Sequence, residues 1–145
     1  MKVKEVMTPN PACCVPGDTA QNVAIIMCEH NVGSVPVVVD QQSRKLTGII
    51  TDRDLCCSII AQGLDPKTTP IQQYMRQNPV ACRDGENLDG CERAMQEHQI
   101  RRIPVVDADG RCIGIVSQAD IALKEKPEKV SKTVSEVSKP QAAAA

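Results

Sequence analysis

The chain has 145 residues, 41% of them hydrophobic, and a formal net charge of −1 at pH 7. That length makes one domain or two small repeats packed on each other, and the near-neutral charge excludes a nucleic-acid surface held by phosphate contacts. Tyr74 is the only aromatic residue, which excludes base-stacking platforms, and no apolar run approaches the roughly 20 residues that a bilayer span needs.

In chain order, Met1 to Met7 lacks the apolar core of a secretory signal, so a soluble cytoplasmic protein is expected. Val3 to Met7 reads as a short helical lead, broken at Asn10-Pro11. A short strand is predicted around Cys13 to Val15. Thr19 is a good N-cap for a helix whose Ala20, Val23, Ala24 and Met27 form one apolar stripe and which ends near His30. Val35 to Val39 is a continuous apolar run, read as a strand buried on both faces. A turn follows, then a strand over Leu46 to Ile50 and a helix from about Asp52 to Ala61.

The plan then repeats. Ile71 to Met75 is a second lead, Asn78-Pro79 a second break, and Val80 to Cys82 a second short strand. Asn87 is the second N-cap, with Leu88, Cys91 and Met95 as the stripe and His98 at the helix end. Ile103 to Val106 and Cys112 to Val116 are strands, and Gln118 to Lys124 a helix. Self-comparison pairs Met7 with Met75, Pro11 with Pro79, Cys14 with Cys82, His30 with His98 and Pro36 with Pro104, all at an offset of 68. Gly48 then pairs with Gly114 and Asp54 with Asp120 at 66, because the second turn is two residues shorter. The organisation expected is a first copy at 1–63, a linker at 64–70, a second copy at 71–126 and a flexible tail at 127–145, whose terminal alanines begin at Ala142.

Each copy closes on the same unit: Gly48-Ile49-Ile50-Thr51-Asp52-Arg53-Asp54 and Gly114-Ile115-Val116-Ser117-Gln118-Ala119-Asp120. A buried strand end runs into a helix start, with a hydroxyl and a carboxylate at the junction. One reading is a capping box that only holds the helix. The other is a ligand site, because helix-start N–H groups attract phosphate and a carboxylate accepts hydrogen bonds from ribose hydroxyls. The two are compatible, and the repetition favours the second.

The order strand-helix-strand-strand-helix, the Pro-Val-Val strand and the closing Gly-x-x-Thr/Ser-x-x-Asp resemble the CBS domain, named after cystathionine β-synthase. Two in tandem over roughly residues 1–125 resemble a Bateman module of the small stand-alone bacterial kind. The resemblance implies an α/β (α+β) fold, each copy β-α-β-β-α, packed sheet to sheet with pseudo-two-fold symmetry around two clefts. Such clefts commonly take AMP, ADP, ATP or S-adenosylmethionine. By the same resemblance Asp54 and Asp120 hold ribose hydroxyls, and Thr51 and Ser117 contact ribose or phosphate. Arg53, Arg101 and Arg102 meet phosphates, and Val15 and Val80 lie against the purine. A plain solvated charge is the alternative for the arginines. Gly33-Ser34 stands where copy two has Arg101-Arg102, and Gln118-Ala119 where copy one has Asp52-Arg53, so the clefts are expected to differ. Asp120 is the stronger expectation because both arginines belong to its copy.

No catalytic residue and no metal ligand is assigned. The two histidines are repeat-equivalent helix-end residues, and no Gly-rich phosphate loop or nucleophile motif occurs. The eight cysteines lack Cys-x-x-Cys spacing, and core packing is their expected role. A non-enzymatic regulatory sensor of adenine nucleotides is the function expected, working as a homodimer on an unnamed effector protein, with no nucleic acid or membrane partner. The alternatives are a ligand-free dimerisation and interaction module, and a thiol-based redox or metal sensor.

Overall fold

A computed structural model describes residues 1–140, and their secondary structure is mixed helix and strand in a doubled pattern. The described residues form two compact units: Asn10–Pro79 with Val106–Ile113, and Met1–Pro9 with Val80–Val105 and the described residues from Gly114 on. These units do not coincide with the sequence copies. The first lead, through Pro9, belongs with copy-two elements, and the second lead, Ile71 to Pro79, with copy-one elements.

In the unit built on copy one, helix α2 (Ala20–His30) is started by Thr19, whose Oγ1 accepts from the Asn22 N–H at 3.2 Å. Its inward stripe is Ala20, Val23 and Met27, as the spacing predicts. Strand β2 (Ser34–Val38) is buried at every position and pairs antiparallel with β3 (Leu46–Thr51). Val35, Val37 and Ile50 are fully buried, each contributing about 1.5–3 kcal/mol relative to exposure. Copy one's predicted first strand shrinks to one bridge, Cys14 beside Val37. Its second helix is α3 (Asp52–Leu55), continued by a π-helical turn, Cys56–Ile60. The second lead forms a 3-10 turn, Ile71–Gln73, and strand β4 (Arg76–Gln77), which pairs with β3.

In the unit built on copy two, helix α1 (Val3–Val6) leads to β1 (Thr8–Pro9). The sheet order is β1-β7-β6-β5, where β5 is Cys82–Arg83, β6 is Arg102–Val106 and β7 is Cys112–Ser117. Helix α4 (Leu88–His98) buries Leu88, Cys91 and Met95. Asn87 is at its N-cap position, but its side chain makes no capping bond, contrary to expectation. Helix α5 is Gln118–Lys124.

The expected flexible tail is a correction. Pro127–Val137 forms helix α6, with Pro127 in its first turn. Thr133 and Val137 are buried, and the Gln96 Nε2–H donates to Thr133 Oγ1 at 3.0 Å, so α6 lies on α4. Val130, Thr133 and Val137 repeat at helical spacing, and that one stripe orders the segment. Residues 141–145, including the terminal alanines, lie outside the described residues.

Candidate functional site

Each closing unit is a formed capping box. At copy one, the Thr51 N–H donates to Asp54 Oδ2 at 3.0 Å and the Asp54 N–H to Thr51 Oγ1 at 3.1 Å. At copy two, the Ser117 N–H and Oγ both donate to Asp120 Oδ2 at 2.9 Å, and the Asp120 N–H donates to Ser117 Oγ at 3.2 Å. In both, Oδ2 alone serves the cap. Oδ1 takes no part in the cap. The capping reading is therefore correct, and it leaves half of each carboxylate uncommitted to the helix.

What meets Oδ1 comes from the lead segments. Arg76 Nη2 lies 3.5 Å from Asp54 Oδ1, and the Thr8 hydroxyl donates to Asp120 Oδ1 at 3.2 Å. Thr8 and Arg76 are themselves repeat-equivalent at the offset of 68. Their registers match too: Arg76 sits opposite Ile49, and Thr8 opposite Ile115. The glycine opening each motif makes that approach possible. A Cβ on Gly48 would meet the Arg76 carbonyl at 2.9 Å, and one on Gly114 would collide with Met7 Sδ and come within 3.2 Å of the Thr8 carbonyl. Sequence reasoning missed Thr8 and Arg76. The signal was present, since each follows its Met7 or Met75 repeat mark.

The other expected site residues divide between the two units. Gly33 O accepts from the Asp52 N–H at 2.9 Å, and Arg101 O from the Gln118 N–H at 3.0 Å, so the residues before β2 and β6 sit on the helix starts. Arg101 and Arg102 thus flank Ser117 and Asp120, while Gly33 and Ser34 flank Thr51 and Asp54. Arg53 and Arg101 are exposed, Arg102 is half-buried, and none of the three forms a salt bridge among the described residues. Ser34, opposite Thr51, is 3% exposed and its Oγ has no hydrogen-bond partner; Gln118 Nε2 is likewise buried without one. Val15 packs against Cys13, Val38 and Cys112, and Val80 is half-buried ahead of β5.

The thiols divide by burial: Cys13, Cys14, Cys82, Cys91 and Cys112 are buried, and Cys28, Cys56 and Cys57 are exposed. Burial pushes Cys14 up to about 12. Cys13 is drawn below the ordinary thiol value by its hydrogen bond with Cys112 and by Arg44, whose Nη2 is 3.2 Å from its sulfur. A different carboxylate stands out on α4: burial, then the charge of Glu125, pushes Glu92 up to about 7. No helix among the described residues is long and apolar enough to cross a membrane.

Two repeats of a helix, two strands and a second helix, each closing on a hydroxyl–carboxylate helix start, define a tandem-repeat α/β protein. The CBS domain family model matches residues 3–60 and 71–125, and the chain belongs to that family. A CBS domain-containing protein of Bacillus subtilis, YhcV, is 37% identical over 123 residues, covering 85% of this chain and 84% of its own. Among solved structures, Hypoxic Response Protein I with two coordinated zinc ions is 30% identical, with a TM-score of 0.78 over 87% of this chain and 100% of that one. CBSX2 of Arabidopsis thaliana, solved in complex with AMP, is 28% identical, with a TM-score of 0.71 over 84% of this chain and 93% of that one.

Proposed function

We propose that the chain is a non-enzymatic sensor module that binds an adenine nucleotide at its two closing motifs. The observation that carries this is the divided carboxylate: in both copies one oxygen caps the helix and the other is presented beside a hydroxyl or a guanidinium. A ribose diol needs such an acceptor, and the arginines beside the motifs suit the phosphate. The AMP complex of a relative in the same family supports the ligand class. Arg53, Arg101 and Arg102 favour an anionic nucleotide, AMP, ADP or ATP, over cationic S-adenosylmethionine. Isothermal titration of the full chain with all four compounds tests the reading. Heat from the nucleotides that is lost in Asp120→Ala is expected, and silence with all four on folded protein removes it.

A second reading, a ligand-free interaction module, is favoured by one observation: Thr8 and Arg76 already stand on the two free carboxylate oxygens. A native-state ligand must raise the melting temperature, so thermal shift across the same compounds separates the two. In either reading the assembly expected is a homodimer acting on an effector protein. α6 covers α4, and α2 presents the exposed apolar residue Ile25 (45% exposed) for such pairing. Sedimentation as a strict monomer at high concentration would defeat that.

A further inference from the structure

Helix α4 carries a carboxylate where its pattern calls for an apolar residue. Glu92 lies four residues after Leu88 and three before Met95, on the inward stripe, and it is only 4% exposed. Its Oε1 has no hydrogen-bond partner. A buried carboxylate without a partner is costly, and natural chains pair such groups or use them to coordinate metals.

Two further carboxylates face it. Asp89 is three residues back on the same helix face, and Glu125 is the C-cap of α5. One oxygen from each of Asp89, Glu92 and Glu125 lies within 4.8 Å of the other two. Oxygens that share one calcium ion at about 2.3–2.6 Å stand at most about 5 Å apart. A groove of about 200 Å³ opens over Asp89 and Glu92, lined also by Arg93, Gln96, Lys129 and Lys132. At about 30 Å³ for each water, it has room for an ion with several waters of its own.

Among the described residues, the cation in salt-bridge contact with the cluster is the Lys129 ammonium, 2.7 Å from Asp89 Oδ1. Its side chain is 45% exposed. Lys129 bonds Asp89 and leaves Glu92 Oε1 without a partner, and an exposed lysine can swing away. The donor set is all oxygen, with no thiol or imidazole, which selects a hard cation over zinc.

We propose that Asp89, Glu92 and Glu125 form a binding site for a hard divalent cation of the calcium type, in competition with Lys129. The site is separate from the nucleotide junctions and does not depend on them. It fastens the end of α5 to α4 and releases Lys129 of α6 from Asp89.

The test is isothermal titration of the metal-stripped full chain with calcium, magnesium and zinc chlorides. The expected result is one calcium per chain with a dissociation constant at or below about 1 mM, the weak end for calcium modules. Glu92→Gln and Glu125→Gln should each weaken it at least tenfold, and Lys129→Met should tighten it. Absence of calcium binding at about 10 mM, beyond the weak end of that range, in both wild type and Lys129→Met would overturn the site. So would affinity unchanged in both glutamine variants, or zinc binding more tightly than calcium. Because Glu125 is only half-buried and Lys129 is exposed, their variants remain informative should Glu92→Gln alter folding.

Discussion

The two closing motifs have one backbone and different company. At copy one the second oxygen of Asp54 faces a guanidinium, and the first residue of β2 is Ser34, with its hydroxyl unpartnered. At copy two the free oxygen of Asp120 accepts from a neutral hydroxyl, and Arg101 and Arg102 stand unpaired beside it. A ribose arriving at Asp54 competes with a cation, whereas at Asp120 it competes with Thr8. The phosphate-seeking charge is equal in number and differs in place, being Arg53 and Arg76 in one and Arg101 and Arg102 in the other. The comparison teaches that a repeat conserves the geometry that presents a ligand group, while single positions around it set which copy binds.

The sharpest way to break the comparison is to remove each carboxylate. Asp120→Ala takes away hydrogen bonds to a charged acceptor, worth about 1.5–3 kcal/mol, so nucleotide affinity should fall about 10- to 150-fold. Asp54→Ala should cost less, because Arg76 already competes for that oxygen. Both variants also lose a cap, and each should lower stability by about 0.5–2 kcal/mol. Paired titration and thermal melting read the two effects separately. Unchanged affinity in both would return the carboxylates to capping alone.

The glycines give a second contrast. Gly48→Ala places a methyl against a backbone carbonyl, which cannot swing aside, while Gly114→Ala first meets the flexible Met7 side chain. Overpacking costs about 1–3 kcal/mol, and Gly48→Ala should fall at the upper end with Gly114→Ala below it. Urea denaturation of the two variants checks the order, and the reverse order would mean that the two leads are seated differently. A smaller contrast lies at the helix starts. Thr19→Ala loses a formed cap and should cost about 1 kcal/mol. Asn87→Ala loses none, and should stay within about 0.5 kcal/mol of wild type.

Much of this was legible in the sequence for physical reasons. The strands, helix limits and capping boxes follow from hydrophobic period and local hydroxyl–carboxylate spacing, and both kinds of signal act over a few residues. Helix α5 falls at Gln118–Lys124 as read, and α2 and α4 end at His30 and His98. The misses are of two kinds. Thr8 and Arg76 reach their carboxylates through strand pairing more than 20 residues away in sequence, which no local pattern encodes. Residues 127–137 read as tail because lysine, serine and glutamate dominate their composition. The stripe of Val130, Thr133 and Val137 was visible only as spacing, with a threonine standing in for an apolar residue. Glu92 went unread, since its place on the stripe of Leu88 and Met95 shows only as spacing.

The finest contrast is Ser34 against its equivalent, Arg102. Ser34 Oγ is buried without a partner, so the folded protein carries the desolvation of that hydroxyl with no hydrogen bond in return. Ser34→Ala removes the group and almost none of the packing, and stability should be unchanged or raised, by no more than about 1 kcal/mol. If copy one takes a nucleotide, the hydroxyl beside Thr51 and Asp54 is placed to bond it, and a typical hydrogen bond contributes about 0.5–1.5 kcal/mol. Affinity at that motif should then fall about 2- to 13-fold. Titration in an Asp120→Ala background isolates copy one, and melting of Ser34→Ala alone reads the stability. Raised stability with unchanged affinity would show that Ser34 takes no part in binding at copy one, and absence of binding in that background would make copy two the sensing site. Destabilisation beyond about 1 kcal/mol would show instead that the hydroxyl is bonded in the free protein.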